Sequence, residues 1–218
     1  MSARRKRRDF APKKRPAQER SRATFDALVQ ACTGLLPRLG YAGTTTNHIA
    51  ARAGVNIASL YEYFPGKDAI VAQVAERLVE RVLSRLAEGA PRVLAARGAD
   101  AARLWIDLIH DTVGREKALI AVFLGQVPYT SELEPIRDLG ARLVAFSLDM
   151  RRQAGGRVRE DLTGASLHLL INLVTSTILQ IVNDPPGDVS QRALLDELAR
   201  RVDAWTRPEP AQRPNRPS

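Results

Sequence analysis

Cysteine, histidine and aromatic side chains are scarce in this chain of 218 residues, of which 5% are aromatic. Its one cysteine, Cys32, excludes an internal disulfide framework and any cysteine-rich metal site. The three histidines, His48, His110 and His168, lie far apart with no metal-ligand spacing between them. We therefore expect neither a bound metal nor a cofactor.

The sequence also lacks a long uninterrupted apolar run. No apolar stretch follows the basic amino terminus, which argues against a secretory signal. The most apolar segment, Leu167–Val182, is interrupted by Asn172, Gln180 and three hydroxyl residues, so it falls short of the roughly 20 apolar residues of a membrane span. These absences predict a cytoplasmic protein.

Acidic residues are too few to balance the basic ones, and the chain carries a net charge of +9. Residues 1–16 carry +7 and residues 207–218 carry +2, so the body between them is neutral. The first end is rich in arginine and lysine and contains two prolines, and the second contains four prolines and almost no apolar side chain. This composition predicts a disordered basic arm and a disordered tail.

Between these ends, apolar residues recur at the spacing of buried helix faces, and no stretch alternates with the period of a strand. A first helix is predicted through Phe25–Leu39 and is ended by Gly40. Asp188 and Gln191 resemble a capping box for the last helix. Further helices are predicted at 45–53, 57–64, 67–87, 99–113, 115–126, 132–153, 160–183 and 189–205. The sequence therefore predicts an all-α fold.

Two of the short predicted helices are joined by Ala53-Gly54-Val55, a spacing typical of a helix-turn-helix, in which glycine permits the sharp corner. Thr44 or Thr45 is placed to cap the first of these helices, and Asn56 is placed to cap the second. A small shared apolar interior is supplied by Ile49, Ala50, Ala53, Val55, Leu60 and Phe64. The other positions of the second helix are then free to face a DNA major groove.

About 48 residues, from Arg20 to Lys67, resemble the amino-terminal domain of the TetR family of bacterial transcriptional regulators. The matching features are Gly40-Tyr41, Thr44-Thr45, Ile49-Ala50, Ala53-Gly54-Val55 and Leu60-Tyr61-x-Tyr63-Phe64-x-x-Lys67. Pro37 and Pro65 depart from the commonest pattern at positions that do not contact DNA. The resemblance implies a three-helix helix-turn-helix DNA-binding domain at 17–66 and a helical effector-binding and dimerisation domain at 67–206. The arm at 1–16 and the Pro-rich tail at 207–218 flank these domains.

The resemblance also implies which residues contact DNA. Phosphate contacts correspond to Thr45, Thr46, Tyr61, Tyr63 and Lys67. Base contacts fall at Asn47, Ile57, Ala58 and Ser59, with Asn56 beside them. Unpaired N–H groups at a helix start suit a phosphate, asparagine can pair with adenine, and apolar side chains can contact a thymine methyl group.

Several of these residues also have a purely structural interpretation. Thr45 and Asn56 fit helix caps, and Ile57 is placed as well for burial as for base contact. Tyr61 can pack its ring while it exposes its hydroxyl. Glu62 would be repelled by phosphate unless it accepts from cytosine, so we expect it to point past the DNA.

The basic arm likewise has two interpretations. A run of cations is usually a solvated tail. Because this one precedes a DNA-binding helix, we expect it to contact the DNA backbone or minor groove. Each phosphate that it neutralises should steepen the salt dependence of log affinity by about 0.9.

The resemblance implies that the carboxy-terminal body forms a homodimer. In it, the last two helices of each chain pack against the same helices of the other chain as a four-helix bundle. The segment 160–183 is apolar on most of its circumference and must be covered on nearly every side. The segment 189–205 contributes a second apolar stripe. A central helix of a monomer would fit the same pattern.

Members of the family generally sense a small molecule in this body. Candidate pocket residues are Trp105, Ile109, His110, Phe123, Phe146, Met150, Asn172 and Thr175, each of which also fits a plain core position. With so few aromatic side chains, we expect a mainly aliphatic lining and a hydrophobic effector.

The leading hypothesis is therefore a ligand-responsive transcriptional regulator, a repressor that binds an inverted repeat of double-stranded DNA as a homodimer. An alternative is a sequence-tolerant architectural protein that binds DNA through its basic tails. An enzyme is a third possibility, but no Ser/His/Asp grouping, metal cluster or phosphate-binding glycine loop is present. Asp107, His110 and Asp111 share one helical stretch, where a surface or pocket-edge role fits them.

Overall fold

A computed structural model of the chain describes residues 10–14, 18–159 and 161–207, and within these ranges every regular element is helical. The all-α prediction is therefore confirmed. The α-helices are α1 (Glu19–Gly43), α2 (Thr46–Ala53), α3 (Ile57–Tyr63), α4 (Lys67–Ala95), α5 (Gly98–Gly125), α6 (Glu134–Arg137), α7 (Leu139–Ala154), α8 (Gly164–Asn183) and α9 (Gln191–Thr206). Short 3₁₀ turns precede α6 and follow α7.

The helix α1 continues past the predicted stop at Gly40, but it is kinked there. Gly40 has a φ of +69°, which a residue with a side chain adopts only at a cost. A Cβ atom at this position would lie 2.5 Å from Oε1 of Gln126. That oxygen accepts a hydrogen bond from the backbone N–H of Tyr41, so the kink joins the end of α1 to the end of α5.

Other helix predictions also differ from the structure. The helix predicted at 67–87 continues to Ala95. The segments predicted at 99–113 and 115–126 form the single helix α5, because one interior glycine costs only about 1 kcal/mol. The segment predicted at 132–153 is divided into α6 and α7. The cap of α9 is Ser190, whose hydroxyl accepts from the N–H of Ala193, and not Asp188.

The described chain forms two compact units, and α4 and α5 each contribute to both. Unit 1 contains the described residues up to Arg81 together with Glu116–Leu139, and unit 2 contains Val82–Arg115 and the described residues from Gly140 onward. Each unit is a set of residues packed against one another. The division predicted between residues 66 and 67 instead separates a DNA-binding domain from an effector-binding and dimerisation domain. That functional division remains a prediction.

The core of unit 1 holds the helix-turn-helix in place. The rings of Phe25 on α1 and Phe64 after α3 lie 4.8 Å apart, and Phe64 is fully buried. Arg81 on α4 donates two hydrogen bonds, of 3.0 and 2.8 Å, to the carboxylate of Glu116 on α5. Glu116 is 9% exposed, so this two-point ion pair fastens α5 to α4 within the unit.

Part of the predicted disordered arm belongs to unit 1. The ring of Phe10 lies 5.0 Å from the ring of Tyr129, and the backbone N–H of Lys13 donates to the carbonyl of Tyr63. The rest of the arm, at 1–9 and 15–16, lies outside the described residues. Of the predicted tail, Arg207 is described and forms an ion pair with Asp203, and residues 208–218 lie outside.

Candidate nucleic-acid interface

The corner between α2 and α3 is built by two caps and a glycine. The hydroxyl of Thr45 accepts a hydrogen bond from the N–H of His48, and the side chain of Asn56 accepts one from the N–H of Ala58 at 2.8 Å. Gly54 ends α2 with a φ of +68°. The predicted capping roles of Thr45 and Asn56 are therefore present, and they fix where both helices begin.

The outer face of the two helices contains most of the residues predicted to contact bases. Asn47 on α2 and Ala58 on α3 are exposed, and Ser59 is half-buried. Ile57 is also half-buried, so its position lies between the two interpretations given by the sequence. Glu62 is exposed on the last turn of α3. A partly exposed face with both polar and apolar side chains is suited to contact base edges in a major groove.

Two hydroxyl groups predicted to contact phosphate lie together across the corner. The Tyr61 hydroxyl is 3.3 Å from Oγ1 of Thr46, and 43% of Tyr61 is exposed. The pair joins the last turn of α3 to the first turn of α2. One phosphate oxygen could therefore accept hydrogen bonds from both hydroxyls and from the N–H groups at the start of α2.

Tyr63 occupies a different environment from Tyr61. It is 8% exposed, and its ring packs edge-on against Phe25 with centroids 6.2 Å apart. Its ring therefore contributes to the core under α3, and the DNA contact predicted for it remains a prediction. The family motif assigns both tyrosines to phosphate contacts. Residues two positions apart on a helix point in different directions, however, so the two rings lie in different environments.

Lys67 is held at the start of α4 by the aromatic residue that follows the α1 kink. Its ammonium group lies 3.9 Å from the centroid of the Tyr41 ring and donates to the Tyr41 carbonyl at 2.7 Å. The Tyr41 hydroxyl donates to Asp68 at 2.6 Å, and the buried Tyr129 hydroxyl donates to the same carboxylate oxygen at 2.9 Å. Burial and the neighbouring carboxylate raise the pKa of Tyr129 far above its ordinary value, so this hydroxyl remains a donor.

Two residues near this face were not identified from the sequence. Nδ1 of His48 lies 3.0 Å from the carbonyl oxygen of Gly43, and His48 directly follows Asn47. The ammonium group of Lys13 donates to the carbonyl of Tyr61 at 3.1 Å. The contact of His48 with Gly43 could have been inferred from its position beside the α2 cap. The contact of Lys13 with Tyr61 could not, because 48 residues separate the two and no local pattern connects them.

Comparison with known proteins gives this geometry its context. A family model for bacterial regulatory proteins of the tetR family matches residues 28–74. The HTH-type transcriptional repressor Rv3405c of Mycobacterium tuberculosis is 31% identical over 175 residues, which cover 71% of this chain and 88% of that relative. The chain belongs to the TetR family of bacterial transcriptional regulators.

Solved structures of other regulators share the fold. A TetR-family regulator from Mesorhizobium loti has a TM-score of 0.67 and 18% identity, covering 86% of this chain and 97% of its own. The fatty acid degradation regulator FadR from Bacillus halodurans has a TM-score of 0.59 and 16% identity, covering 88% and 97%. A TetR-family regulator binds DNA and carries out no chemistry, so the prediction that the chain is not an enzyme is confirmed.

Unit 2 of this TetR-family chain contains seven of the eight candidate effector-pocket residues, and Phe123 lies in unit 1. Trp105 and Phe146 come together with stacked rings whose centroids are 6.0 Å apart. Asn172 is exposed and donates to the carbonyl of His168 within α8. The remaining candidates, Ile109, His110, Met150 and Thr175, are half-buried.

A cavity of about 550 Å³ lies among α4, α5 and α9 within unit 2. His110 is the one predicted pocket residue in its lining, and its ring nitrogen lies 3.0 Å from Nε2 of Gln191. The other lining side chains are charged or aliphatic: Arg92, Val93, Leu104, Asp107, Leu108, Asp111, Arg192 and Leu195. This lining is more polar than the mainly aliphatic pocket predicted from the sequence.

The helix α8 is long and apolar enough to cross a membrane by length and composition alone. The helix extends beyond Leu167–Val182 at both ends, and the prediction that this segment does not span a membrane remains a prediction. Five of its residues are buried in the single chain, while Leu169 and Leu173 are 55% and 45% exposed.

Among the described residues there is no group of three side chains that could hold a metal ion.

Proposed function

We propose that this regulator is a repressor that binds an inverted-repeat operator as a homodimer and is controlled by a small hydrophobic effector bound in unit 2. The observation that carries the proposal is the exposed face of α2 and α3, in which Tyr61 and Thr46 pair their hydroxyls beside the start of α2. Repression of this kind needs no chemistry, because a bound dimer excludes the polymerase.

The contacts with DNA divide into those that position the protein and those that specify sequence. Thr45, Thr46, Tyr61 and Lys67 supply hydroxyls, N–H groups and one cation to phosphates. Asn47, Ile57, Ala58 and Ser59 supply the face directed at base edges, with Asn56 fixed by its capping bond. Because the body is neutral, this arrangement and not bulk charge provides sequence preference.

The dimer is supported by the surface of α8. Leu169 and Leu173 lie one turn apart and expose about half of their surface to solvent, which is unfavourable unless another apolar surface covers them. A second α8 would cover them, with α9 beside it, and would place two copies of α3 roughly 34–36 Å apart in successive major grooves. We assign this face to a second copy of the chain, in the cytoplasm, and not to lipid.

The effector is assigned to unit 2 at the stacked rings of Trp105 and Phe146, which offer an apolar surface. An effector can release the operator only if it binds more tightly to a conformation in which the two copies of α3 no longer match the operator. Rv3405c is named a repressor, which supports repression over activation.

The proposal is tested by selecting duplexes that bind from a random DNA pool at physiological salt. The full chain, the Tyr61→Ala/Lys67→Ala variant and a Lys117→Ala control, which removes an exposed cation of α5, are compared. We expect the full chain and the control to recover an inverted repeat and the double variant to lose it while it remains folded. If no consensus is recovered and binding is lost once residues 1–16 are removed, the architectural alternative replaces the proposal.

A further inference from the structure

The carboxyl end of α3 is capped by a residue from the amino-terminal arm. The N–H of Lys13 donates to the Tyr63 carbonyl at 2.7 Å, and its ammonium group donates to the Tyr61 carbonyl at 3.1 Å. The last carbonyls of a helix have no partner within the helix and carry partial negative charge. Lys13 satisfies two of them with one backbone donor and one cation, although it is 48 positions away in sequence from Tyr61.

A second contact holds the same segment at Phe10, three residues before Lys13. The half-buried ring of Phe10 lies 5.0 Å from the ring of Tyr129, which is fully buried. Tyr129 is itself held by the hydrogen bond of its hydroxyl to Asp68. Pro12, between the two contacts, has a fixed φ and lowers the entropy that the segment loses when it is ordered. The segment 10–14 is therefore attached at two points to the unit that contains α3.

Five of the eight cations of the arm lie directly before this attachment. Arg4, Arg5, Lys6, Arg7 and Arg8 are five to nine residues before Lys13. A chain spans at most about 3.6 Å per residue, which places these cations within about 32 Å of Lys13. The helix α3 is about 10 Å long and a major groove is about 12 Å wide, so phosphates on both sides of the groove that holds α3 are within reach.

We propose that Phe10 and Lys13 are positioning residues that anchor the basic arm at the end of the recognition helix α3, so that the cations at 4–8 bind operator phosphates beside that helix. The inference rests on the proposed operator binding. A cation tether that starts from a fixed point samples fewer positions, so less entropy is lost when it meets the phosphates. Because Lys13 also holds the backbone of Tyr61, it supports the Tyr61–Thr46 pair as well.

The anchor makes a prediction that a free polycationic tail does not make. Phe10→Ala removes no charge, yet we expect it to weaken operator binding about tenfold by releasing the tether. It should also flatten the plot of log affinity against log salt by about 0.9 for each phosphate that the arm no longer neutralises. Replacing all five cations at 4–8 by alanine should have a similar effect. The combined variant should be no weaker than the five-cation variant alone, because both changes act on the same phosphates.

The experiment measures affinity for the selected operator over a series of KCl concentrations, using the full-length chain and its variants. Lys13→Ala is compared with Lys14→Ala, which removes the same charge from the exposed neighbouring position. The anchor requires the larger loss of affinity at Lys13. Phe10→Trp, which keeps a ring against Tyr129, should restore the wild-type salt slope, and this rescue separates anchoring from a general loss of folding.

Two outcomes would overturn the anchor. One is a Phe10→Ala variant whose salt slope equals that of the wild type. The other is a combined variant whose losses of affinity add, which would mean that Phe10 and the cations act independently. A wild-type chain that prefers no duplex would instead contradict the proposed operator binding, so the two failures are distinguishable.

Discussion

The helices α3 and α8 both expose one face in the single chain, but the two faces differ in chemistry. The exposed positions of α3 are small, hydroxyl-bearing or charged, as at Ala58, Tyr61 and Glu62, whereas α8 exposes Leu169 and Leu173. The face of α3 is stable in water without DNA, because its caps and core lie within the chain. The face of α8 places two large apolar side chains one turn apart in solvent, and the proposed dimer would cover both of them. On the dimer proposal, α3 is complete in the single chain and α8 is completed by a second copy.

The difference between the two faces is tested most directly by removing the apolar character of α8 alone. In the Leu169→Glu/Leu173→Glu variant, four leucines are replaced per dimer, and burying each contributes about 1.5–3 kcal/mol. We expect the dimer dissociation constant to rise by at least about 1,000-fold. Sedimentation equilibrium should then show a folded monomer, and operator affinity should fall because only one half-site is bound at a time.

The matched control for this variant is Leu124→Glu. Leu124 on α5 is 63% exposed and receives the same substitution, yet it lies outside α8 and α9. It should leave the dimer intact. A dimer that survives the double substitution in α8 would assign the exposed leucines to another partner.

The same contrast explains how much the sequence could predict. The corner at Gly54, the caps at Thr45 and Asn56 and the buried Leu60 follow from local patterns, because each depends on residues within a few positions. The contacts of Lys13 with α3 and of Tyr129 with Asp68 join residues far apart in sequence, and no periodicity records them. The motif also could not separate Tyr61 from Tyr63, since only packing against Phe25 makes one exposed and the other buried.

Two glycine substitutions test whether the fold of unit 1 is determined within the chain. Gly40 and Gly54 both have φ near +70°, but ψ is 172° at Gly40 and 29° at Gly54. Alanine at Gly54 should cost about 1–2 kcal/mol, and alanine at Gly40 should cost more because its backbone region is essentially restricted to glycine. At Gly54 nothing lies within 4 Å of the added Cβ, whereas at Gly40 it would meet Oε1 of Gln126. Displacing Gln126 also removes its hydrogen bond to Tyr41, which should add about 1 kcal/mol to the cost of Gly40→Ala.

Urea unfolding of both variants measures this difference. Adding Gln126→Ala to each should narrow the gap, since the side chain that opposes the Cβ atom is then absent. A gap that Gln126→Ala leaves unchanged would mean that Gln126 moves aside without cost, and the connection between the ends of α1 and α5 would carry no stability.

A pair of identical substitutions separates the structural and DNA-contacting parts of the interface. Asn56 caps α3, so Asn56→Ala should lower the free energy of unfolding by about 1 kcal/mol. Asn47 is exposed on α2, so Asn47→Ala should leave stability unchanged and weaken binding to the selected operator. Chemical denaturation and operator titration of both variants are the measurements. A stability loss at Asn47 equal to that at Asn56 would contradict this division.

The smallest expected effect concerns Cys32, which is fully buried in α1. Burial raises its pKa from 9.0 to about 12, so near pH 8 the thiol is protonated in the folded chain and unreactive toward thiol reagents. If the fold of unit 1 is complete within one chain, the labelling rate of Cys32 should be the same in the wild type and in the Leu169→Glu/Leu173→Glu monomer. Faster labelling in the monomer would show that α8 contacts stabilise unit 1 as well.

The pKa of Cys32 also fixes the direction of a pH effect. Between about pH 9 and 12 the unfolded chain loses the thiol proton while the folded chain keeps it, so the free energy of unfolding falls as the pH rises. Below pH 9 both states are protonated and this contribution to stability is fully present. Cys32→Ala should remove the added slope, so the stability difference between wild type and variant should shrink above pH 9. A difference that stays constant through this range would mean that the thiol ionises in the folded chain as it does in the unfolded one.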